Sequence, residues 1–197
     1  MRILTALTYY RPHISGLTIY TERLTKALAN RGHEVTVLTS QFDPQTALEE
    51  RHNGVCIRRV PVLFRISKGV IMPTIGIHAT NLVKNNDVVH LHLPQFDAAG
   101  ISLRGRLFKK PTVLTYHCDL KLPPGLFNRA ANSAVHLMNH IAARSAHRIV
   151  TYTDDFATHS PYTARYYNKV ETILPPVILP ETTQNDIKRF TSDNNPD

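Results

Sequence analysis

The sequence predicts an α/β domain with a Rossmann-like, doubly wound and mostly parallel sheet of about seven strands. Short runs of β-prone apolar residues alternate along the chain with longer segments whose apolar residues recur at helical spacing. Two of the apolar runs lie in residues 88–94 and 113–119, and each stops abruptly at polar residues, as strands buried on both faces do. The 197 residues suffice for one sizeable domain but not for two.

The chain begins with a β-loop-α-β unit. Residues 3–7 are predicted to form a strand, residues 8–17 a loop, and residues 18–31 a helix with one apolar stripe. Gly32 ends the helix, because glycine tolerates the left-handed cap conformation. Residues 34–39 form the second strand, which a right-handed crossover should bring beside the first.

The rest of the chain repeats this alternation. Residues 41–53 are polar and are predicted to form a loop with a short helical turn, whereas residues 61–73 receive no assignment. Pro161 must kink or restart the helix in which it lies. The remaining predicted strands cover residues 55–60, 87–91, 112–115, 147–150 and 170–174, and the remaining predicted helices cover residues 74–84, 95–108, 126–145 and 154–166.

The end of the chain differs in character from the rest. We expect residues 1–174 to form the domain, and residues 175–197 to form an interdomain linker followed by a mobile tail. The linker holds Pro175, Pro176 and Pro180, which favour extended backbone. The tail is polar and carries no core pattern. A second domain would begin where this chain ends.

The composition excludes several classes of protein. Cys56 and Cys118 are the only cysteines and form no Cys-x-x-Cys pair, so neither a disulfide framework nor a cysteine-based zinc site is expected. No apolar run approaches the ~18 residues of a membrane span. The first residues become polar too soon for a signal peptide. A reducing cytoplasm is therefore the expected location.

The formal net charge of +8 is concentrated before the acidic tail. Such a surface attracts lipid headgroups, nucleotides or nucleic acid, or it serves solubility alone. Basic residues lie beside apolar ones in two places, a pattern that suits an anionic membrane surface but also an ordinary solvated face. The two groups are Arg58, Arg59, Phe64, Arg65 and Lys68, and Arg104, Arg106, Lys109 and Lys110.

His117 is the main candidate for chemistry, because it follows the strand that ends at the sheet edge where ligands bind in parallel sheets. It could hydrogen-bond a hydroxyl or a phosphate, and the nearby Asp119 could orient it. The alternative is a structural histidine that caps the sheet. His90 and His92 should face one side of their strand, but they lack a third ligand at a spacing typical of metal sites.

The turn between the first strand and the first helix is the second candidate. Gly16 permits a close approach of backbone to ligand, and the following helix offers free N–H groups to a phosphate. An ordinary strand-to-helix turn is the alternative. The dinucleotide-binding motif Gly-x-Gly-x-x-Gly and the P-loop motif are absent from the sequence.

Several motifs in this order resemble one known family. They are Arg-Gly-His-Glu-Val-Thr-Val-Leu at residues 31–38, Asp-Val-Val-His-Leu-His at 87–92, Thr-Tyr-His-Cys-Asp at 115–119 and Ala-His-Arg-Ile-Val-Thr at 146–151. Together they resemble the N-terminal domain of retaining GT-B fold glycosyltransferases of family 4. The resemblance extends from Met1 to about Pro180.

The resemblance implies roles for individual residues. His117 matches the catalytic histidine near the donor sugar. Gly16 and Leu17 match the glycine loop that approaches the donor diphosphate, although this sequence has Ser15 where the family often has another glycine. Thr153 and Asp154 match a position that faces the cleft on the donor side. The residues assigned to the acceptor side are Tyr9, Arg11, His13, His92 and Asp119.

The resemblance also implies an activity. The full enzyme would transfer a hexose from a nucleotide sugar, such as a UDP- or GDP-hexose, to a glycan or lipid-linked acceptor with retention and without a metal ion. The family's Glu-x7-Glu motif, which belongs to the donor domain, is missing here. This half should therefore be inactive without its own C-terminal domain or a split partner subunit. The alternative is a non-catalytic binding or scaffolding subunit. Nucleic acid is not an expected partner.

Overall fold

The computed structural model of the protein describes residues 1–66, 69–120, 123–177 and 183–194. Over these residues the chain forms ten strands, six α-helices and one short 3-10 helix at Ala164–Lys169. The strands are β1 (Arg2–Ala6), β2 (Glu34–Gln41), β3 (Glu49–His52), β4 (Val55–Pro61), β5 (Phe64–Ile66), β6 (Gly69–Ile71), β7 (Val88–Leu93), β8 (Thr112–Tyr116), β9 (Arg148–Thr151) and β10 (Val170–Thr172). The helices are α1 (Gly16–Asn30), α2 (Ile75–Asn85), α3 (Ala98–Leu107), α4 (Leu126–Ser145), α5 (Asp154–His159) and α6 (Gln184–Asn194).

Eight strands form one sheet in the order β10-β9-β8-β7-β1-β2-β4-β3, and β5 and β6 form a separate antiparallel pair. Neighbours in the large sheet are parallel except β3 and β4. Ile3 in β1 pairs with Val35 of β2 on one side and with Val88 of β7 on the other. The strand order therefore reverses between β1 and β7, and ligands of doubly wound proteins bind in the crevice at such a switch point.

Apolar cores cover both faces of the sheet. The larger core packs α2, α3 and α4 against one face, and α1 covers the other. Leu91 and Leu93 of β7 are fully buried in the larger core, where truncation of either to alanine would cost about 2–5 kcal/mol. His90 and His92 alternate with these leucines along the strand. They therefore point toward the face that α1 covers.

The predicted fold class and all seven predicted strands are confirmed. Pro161 interrupts its helix as expected, since α5 ends at His159 and the 3-10 helix begins at Ala164. The unassigned segment 61–73 contains the β5–β6 pair. The loop prediction for residues 41–53 is wrong in its last part, which forms β3.

The sequence predicts no helix in the tail, but Gln184–Asn194 forms α6. Its described side chains are exposed, so no core contact reveals the helix in the sequence pattern. The helix relies on local hydrogen bonds, such as that from the Ile187 N–H to the Thr183 carbonyl. Residues 178–182 and 195–197 of the predicted linker and tail lie outside the described residues. Within the described part of the chain, no helix has both the length and the apolar character to cross a membrane.

Candidate active site

Four aromatic side chains meet at the crevice beside the switch point. His92 comes from β7, His117 and Tyr152 directly follow β8 and β9, and Tyr20 comes from the second turn of α1. The Tyr20 ring centroid lies 5.0 Å from that of His117, 5.6 Å from that of Tyr152 and 5.8 Å from that of His92. We call these four residues the histidine–tyrosine cluster.

His117 is held through both nitrogens of its ring. Its Nε2 lies 2.9 Å from Nδ1 of His92, and its Nδ1 is in hydrogen-bond contact with the Tyr152 hydroxyl. Its backbone N–H donates to the Leu93 carbonyl at 3.0 Å, which fixes the position of the residue at the strand end. His92 is fully buried, whereas His117 remains partly exposed. Of these two histidines, His117 is thus the one that can meet a ligand directly.

The histidines at this site are neutral at pH 7. Burial lowers the pKa of His117 to about 4, and the neighbouring His90 acts in the same direction. Burial likewise lowers the pKa of His90 to about 4 and holds the pKa of His92 well below its usual range. A neutral imidazole offers one N–H donor and one acceptor. Both nitrogens of the His117 ring are already engaged, so a hydroxyl or a phosphate would hydrogen-bond the neutral ring by replacing His92 at Nε2 or Tyr152 at Nδ1.

His90 and His92 share one side of β7, as the sequence predicts, and their ring centroids are 4.5 Å apart. Nε2 of His90 lies 2.7 Å from the Thr115 hydroxyl. Nε2 of His92 is buried and has no hydrogen-bond partner in the described residues. Among those residues, no group of three or more histidine, cysteine or acidic side chains is arranged to hold a metal ion.

Asp119 lies two residues beyond His117, but its carboxylate serves other partners. The Tyr116 hydroxyl donates to it at 2.8 Å and the Ser160 hydroxyl at 2.9 Å. These bonds tie the end of β8 to the segment after α5. The orientation of His117 that the sequence attributes to Asp119 is provided by His92 and Tyr152.

The glycine loop leads into the first turn of α1. Ser15 is the N-cap residue, and its hydroxyl accepts a hydrogen bond from the Thr18 N–H at 3.2 Å. Gly16 is exposed, and a Cβ at this position would meet no other atom within 4 Å. Leu17 packs against the core under α1. The backbone at Gly16 is thus open to a ligand, at the positive end of a helix of 15 residues.

Thr153 and Asp154 follow Tyr152 at the start of α5. The Thr153 hydroxyl caps this helix by accepting from the Phe156 N–H at 3.2 Å. The Asp154 carboxylate accepts from the Thr172 hydroxyl at 2.9 Å, and both residues are exposed. They are the two residues that follow Tyr152 of the histidine–tyrosine cluster.

The predicted acceptor residues after β1 form a second group. The rings of Tyr9 and His13 stack with centroids 5.0 Å apart, and Phe42, which follows β2, contacts both edge-on at 5.9 Å and 5.5 Å. Arg11 forms an ion pair with Glu22 of α1. The loops after the neighbouring strands β1 and β2 therefore bring three aromatic rings together.

Sequence reasoning missed Tyr20, Phe42 and Tyr152. Tyr20 lies on the apolar stripe that predicts α1, and its contact with His117 depends on how α1 crosses the sheet. Tyr152 directly precedes Thr153 at a strand end, and the rule that selected His117 would have found it. Phe42 lies in a segment that has no apolar pattern.

The sequence matches a known family, and the fold matches solved structures of glycosyltransferases. Residues 15–166 match the family described as "Glycosyl transferase 4-like domain", which is more than half of the chain. The structure resembles sucrose-phosphate synthase from Thermosynechococcus elongatus, with a TM-score of 0.61, 13% identity and coverage of 88% of this chain and 47% of that one. It also resembles MurG from Acinetobacter baumannii, with a TM-score of 0.52, 12% identity and coverage of 94% and 47%. Among curated proteins, none matches the chain.

These comparisons identify the fold of the chain as that of the N-terminal half of GT-B glycosyltransferases. The chain belongs to the glycosyl transferase 4-like domain family. It spans about half the length of the solved structures that it resembles, and its sheet corresponds to one half of the GT-B architecture. At these low identities the structural matches show the fold alone.

Proposed function

We propose that this chain is the acceptor-binding half of a retaining hexosyltransferase. The complete enzyme would transfer a hexose from a nucleotide sugar, such as a UDP- or GDP-hexose, to a glycan or lipid-linked acceptor. The observation that carries the proposal is His117, which is partly exposed at the switch point and held through both ring nitrogens. A C-terminal donor domain, or a split partner subunit with that role, would hold the nucleotide.

On the donor side, a hydroxyl of the sugar would replace the Tyr152 hydroxyl at Nδ1 of the neutral His117 ring, and this hydrogen bond would hold the anomeric carbon in position. The backbone of Gly16 and Leu17, at the start of α1, would face the diphosphate. The positive end of this helix would stabilise the charge that develops as the sugar–phosphate bond breaks, so that no metal is required. Thr153 and Asp154 would line the same side.

On the acceptor side, Tyr9 and His13 would present their stacked rings to the acceptor, and Arg11 would border them. His92 is fully buried, so its role would be to orient His117. Asp119 would fix the end of β8 from which His117 projects. We place the reaction in the cytoplasm, where an anionic membrane surface is a candidate partner.

The test uses this chain completed by its donor half. His117→Ala should lower turnover about a hundredfold or more, because it removes a group that contacts the reacting sugar. His33→Ala is the matched control, since His33 precedes β2 at the opposite edge of the sheet. The measurement is release of nucleoside diphosphate in the presence of acceptor, with circular dichroism to verify the fold.

Unchanged turnover in His117→Ala would remove the catalytic assignment. A completed protein that binds a glycan but never releases nucleotide would instead support the non-catalytic scaffolding function. The two results separate an error about His117 from an error about enzymatic activity.

A further inference from the structure

The helices on the larger core have an unusual charge composition. The sequences of α2, α3 and α4 contain five lysines and arginines and no aspartate or glutamate. Two more lysines, Lys109 and Lys110, follow α3. On the other face of the sheet, α1 carries Glu22 beside Arg23 and Lys26. The N-cap residue of α3 is an acid, Asp97, so the basic residues on the α2–α4 side still outnumber the acidic residue beside them.

The outer surface of α3 combines this charge with apolar side chains. Leu103 is 50% exposed and Leu107 is 72% exposed, and Arg104 and Arg106 lie between and beside them. Apart from Gly100, the other residues of α3 are buried. α3 therefore turns only leucine and arginine side chains toward solvent.

The neighbouring surface of α2 extends this pattern. Ile77 is 66% exposed and lies on the same helical stripe as Thr80 and Lys84. The Lys84 ammonium lies 5.0 Å above the Phe108 ring, so its stem follows the end of α3. We call Ile77, Lys84, Leu103, Arg104, Arg106 and Leu107 the α2–α3 face.

A groove runs between the two helices of this face. It consists of two adjoining depressions of about 210 Å³ and 330 Å³, which share Gly100 and Arg104 in their walls. The Arg104 guanidinium donates to the Thr80 hydroxyl and to the Gly100 carbonyl, each at 2.8 Å. Both acceptors are neutral, so these bonds position the guanidinium without cancelling its charge. Its remaining N–H groups can bind a phosphate.

We propose that the α2–α3 face docks on a lipid bilayer that carries anionic headgroups. Exposed leucines inserted at the interface and cations at headgroup level are the two features by which a peripheral surface binds such a bilayer. Nucleic acid would be complementary to the arginines but would leave Leu103 and Leu107 in water. The face is on the outer side of the helices, so this inference does not depend on the proposed transferase activity.

The test is co-sedimentation of the chain with vesicles of phosphatidylcholine that contain or lack phosphatidylglycerol. We expect binding only to the anionic vesicles and loss of binding at high salt. Arg106→Glu should weaken binding about tenfold or more, because each cation near an anionic surface contributes about fivefold and the variant also adds repulsion. Leu107→Glu should weaken it similarly by removing the inserted side chain.

Two matched control variants make the same kinds of substitution outside the α2–α3 face. Lys26→Glu alters an exposed cation of α1, and Leu48→Glu alters an exposed leucine beside the edge strand β3. Both should retain binding to the anionic vesicles. All four substitutions are at exposed positions, and thermal unfolding verifies that each variant folds.

Failure to sediment with anionic vesicles would overturn the proposal. Equal loss in Arg106→Glu and Lys26→Glu would also overturn it, because net charge rather than this face would then determine binding. Tighter binding to duplex DNA than to the vesicles, weakened in Arg106→Glu but not in Lys26→Glu, would assign the face to nucleic acid instead.

Discussion

At the scale of single residues, the buried histidines link stability to pH. His90 and His117 have pKa values lowered to about 4, whereas histidines of an unfolded chain titrate near 6.5. Between these values the unfolded state binds more protons than the folded state. The stability is therefore fully present above pH 6.5 and is lost as the pH falls toward 4. Each such histidine contributes at most about 1.4 kcal/mol per pH unit.

One carboxyl group has the opposite effect on the change of stability with pH. Burial raises the pKa of Asp97 to about 6, so the folded state binds that proton more readily as the pH falls. One such group cannot offset the three histidines His90, His92 and His117, whose pKa values are all lowered. We expect the free energy of unfolding in urea to be lower at about pH 5 than at pH 7. His90→Gln should make this dependence shallower, and equal stability at both pH values would contradict the assignment of neutral, buried imidazoles.

At the scale of elements, we expect substitution of two helical glycines by alanine to have different effects on stability. A Cβ on Gly105 of α3 would lie 2.2 Å from the Thr112 hydroxyl of β8, so Gly105→Ala should destabilise the protein by about 1–3 kcal/mol. A Cβ on Gly16 would meet no other atom within 4 Å, so Gly16→Ala should change stability by less than about 0.5 kcal/mol. Gly16→Ala should still lower turnover of the completed enzyme if this backbone meets the diphosphate.

Thermal unfolding of the two variants and turnover of Gly16→Ala test these statements. Similar melting temperatures for both would contradict the close packing of α3 on β8. Full turnover of a stable Gly16→Ala enzyme would remove the glycine loop from the donor site.

The elements also show what the sequence can and cannot predict. Strands β7 and β8 are predictable because burial on both faces requires continuous apolar runs, and these runs place His117 at the sheet edge. Strand β3 cannot be predicted from the sequence, because its side chains are polar and exposed. Its pairing depends on partners in another strand, such as Arg58 and Arg59 of β4. The contact between Tyr20 and His117 joins distant segments, and no local pattern encodes it.

At the scale of the whole molecule, the chain corresponds to half of a two-domain architecture. We therefore expect calorimetry of this chain with UDP, GDP, ADP and their sugar conjugates to detect no binding. The donor domain would contribute most of the nucleotide contacts, and the crevice alone offers one histidine and one helix terminus. The chain completed by its donor half should bind one of these nucleotides.

Micromolar binding of a nucleotide to the chain alone would contradict the assignment of the nucleotide contacts to the donor domain. The donor site would then lie within residues 1–197, and the proposal of an acceptor half would be wrong. Binding by the completed protein alone would support it.

The eight-stranded sheet ends at β3, whose outer edge could in principle recruit a strand from another molecule. Glu49, Glu50, Arg51 and His52 make that edge polar along its whole length, and Glu49 and Glu50 form ion pairs with β4. A second chain that added here would have to desolvate these groups. The polar residues that make β3 hard to predict from the sequence thus disfavour edge-to-edge aggregation and fibril growth at this edge of the sheet.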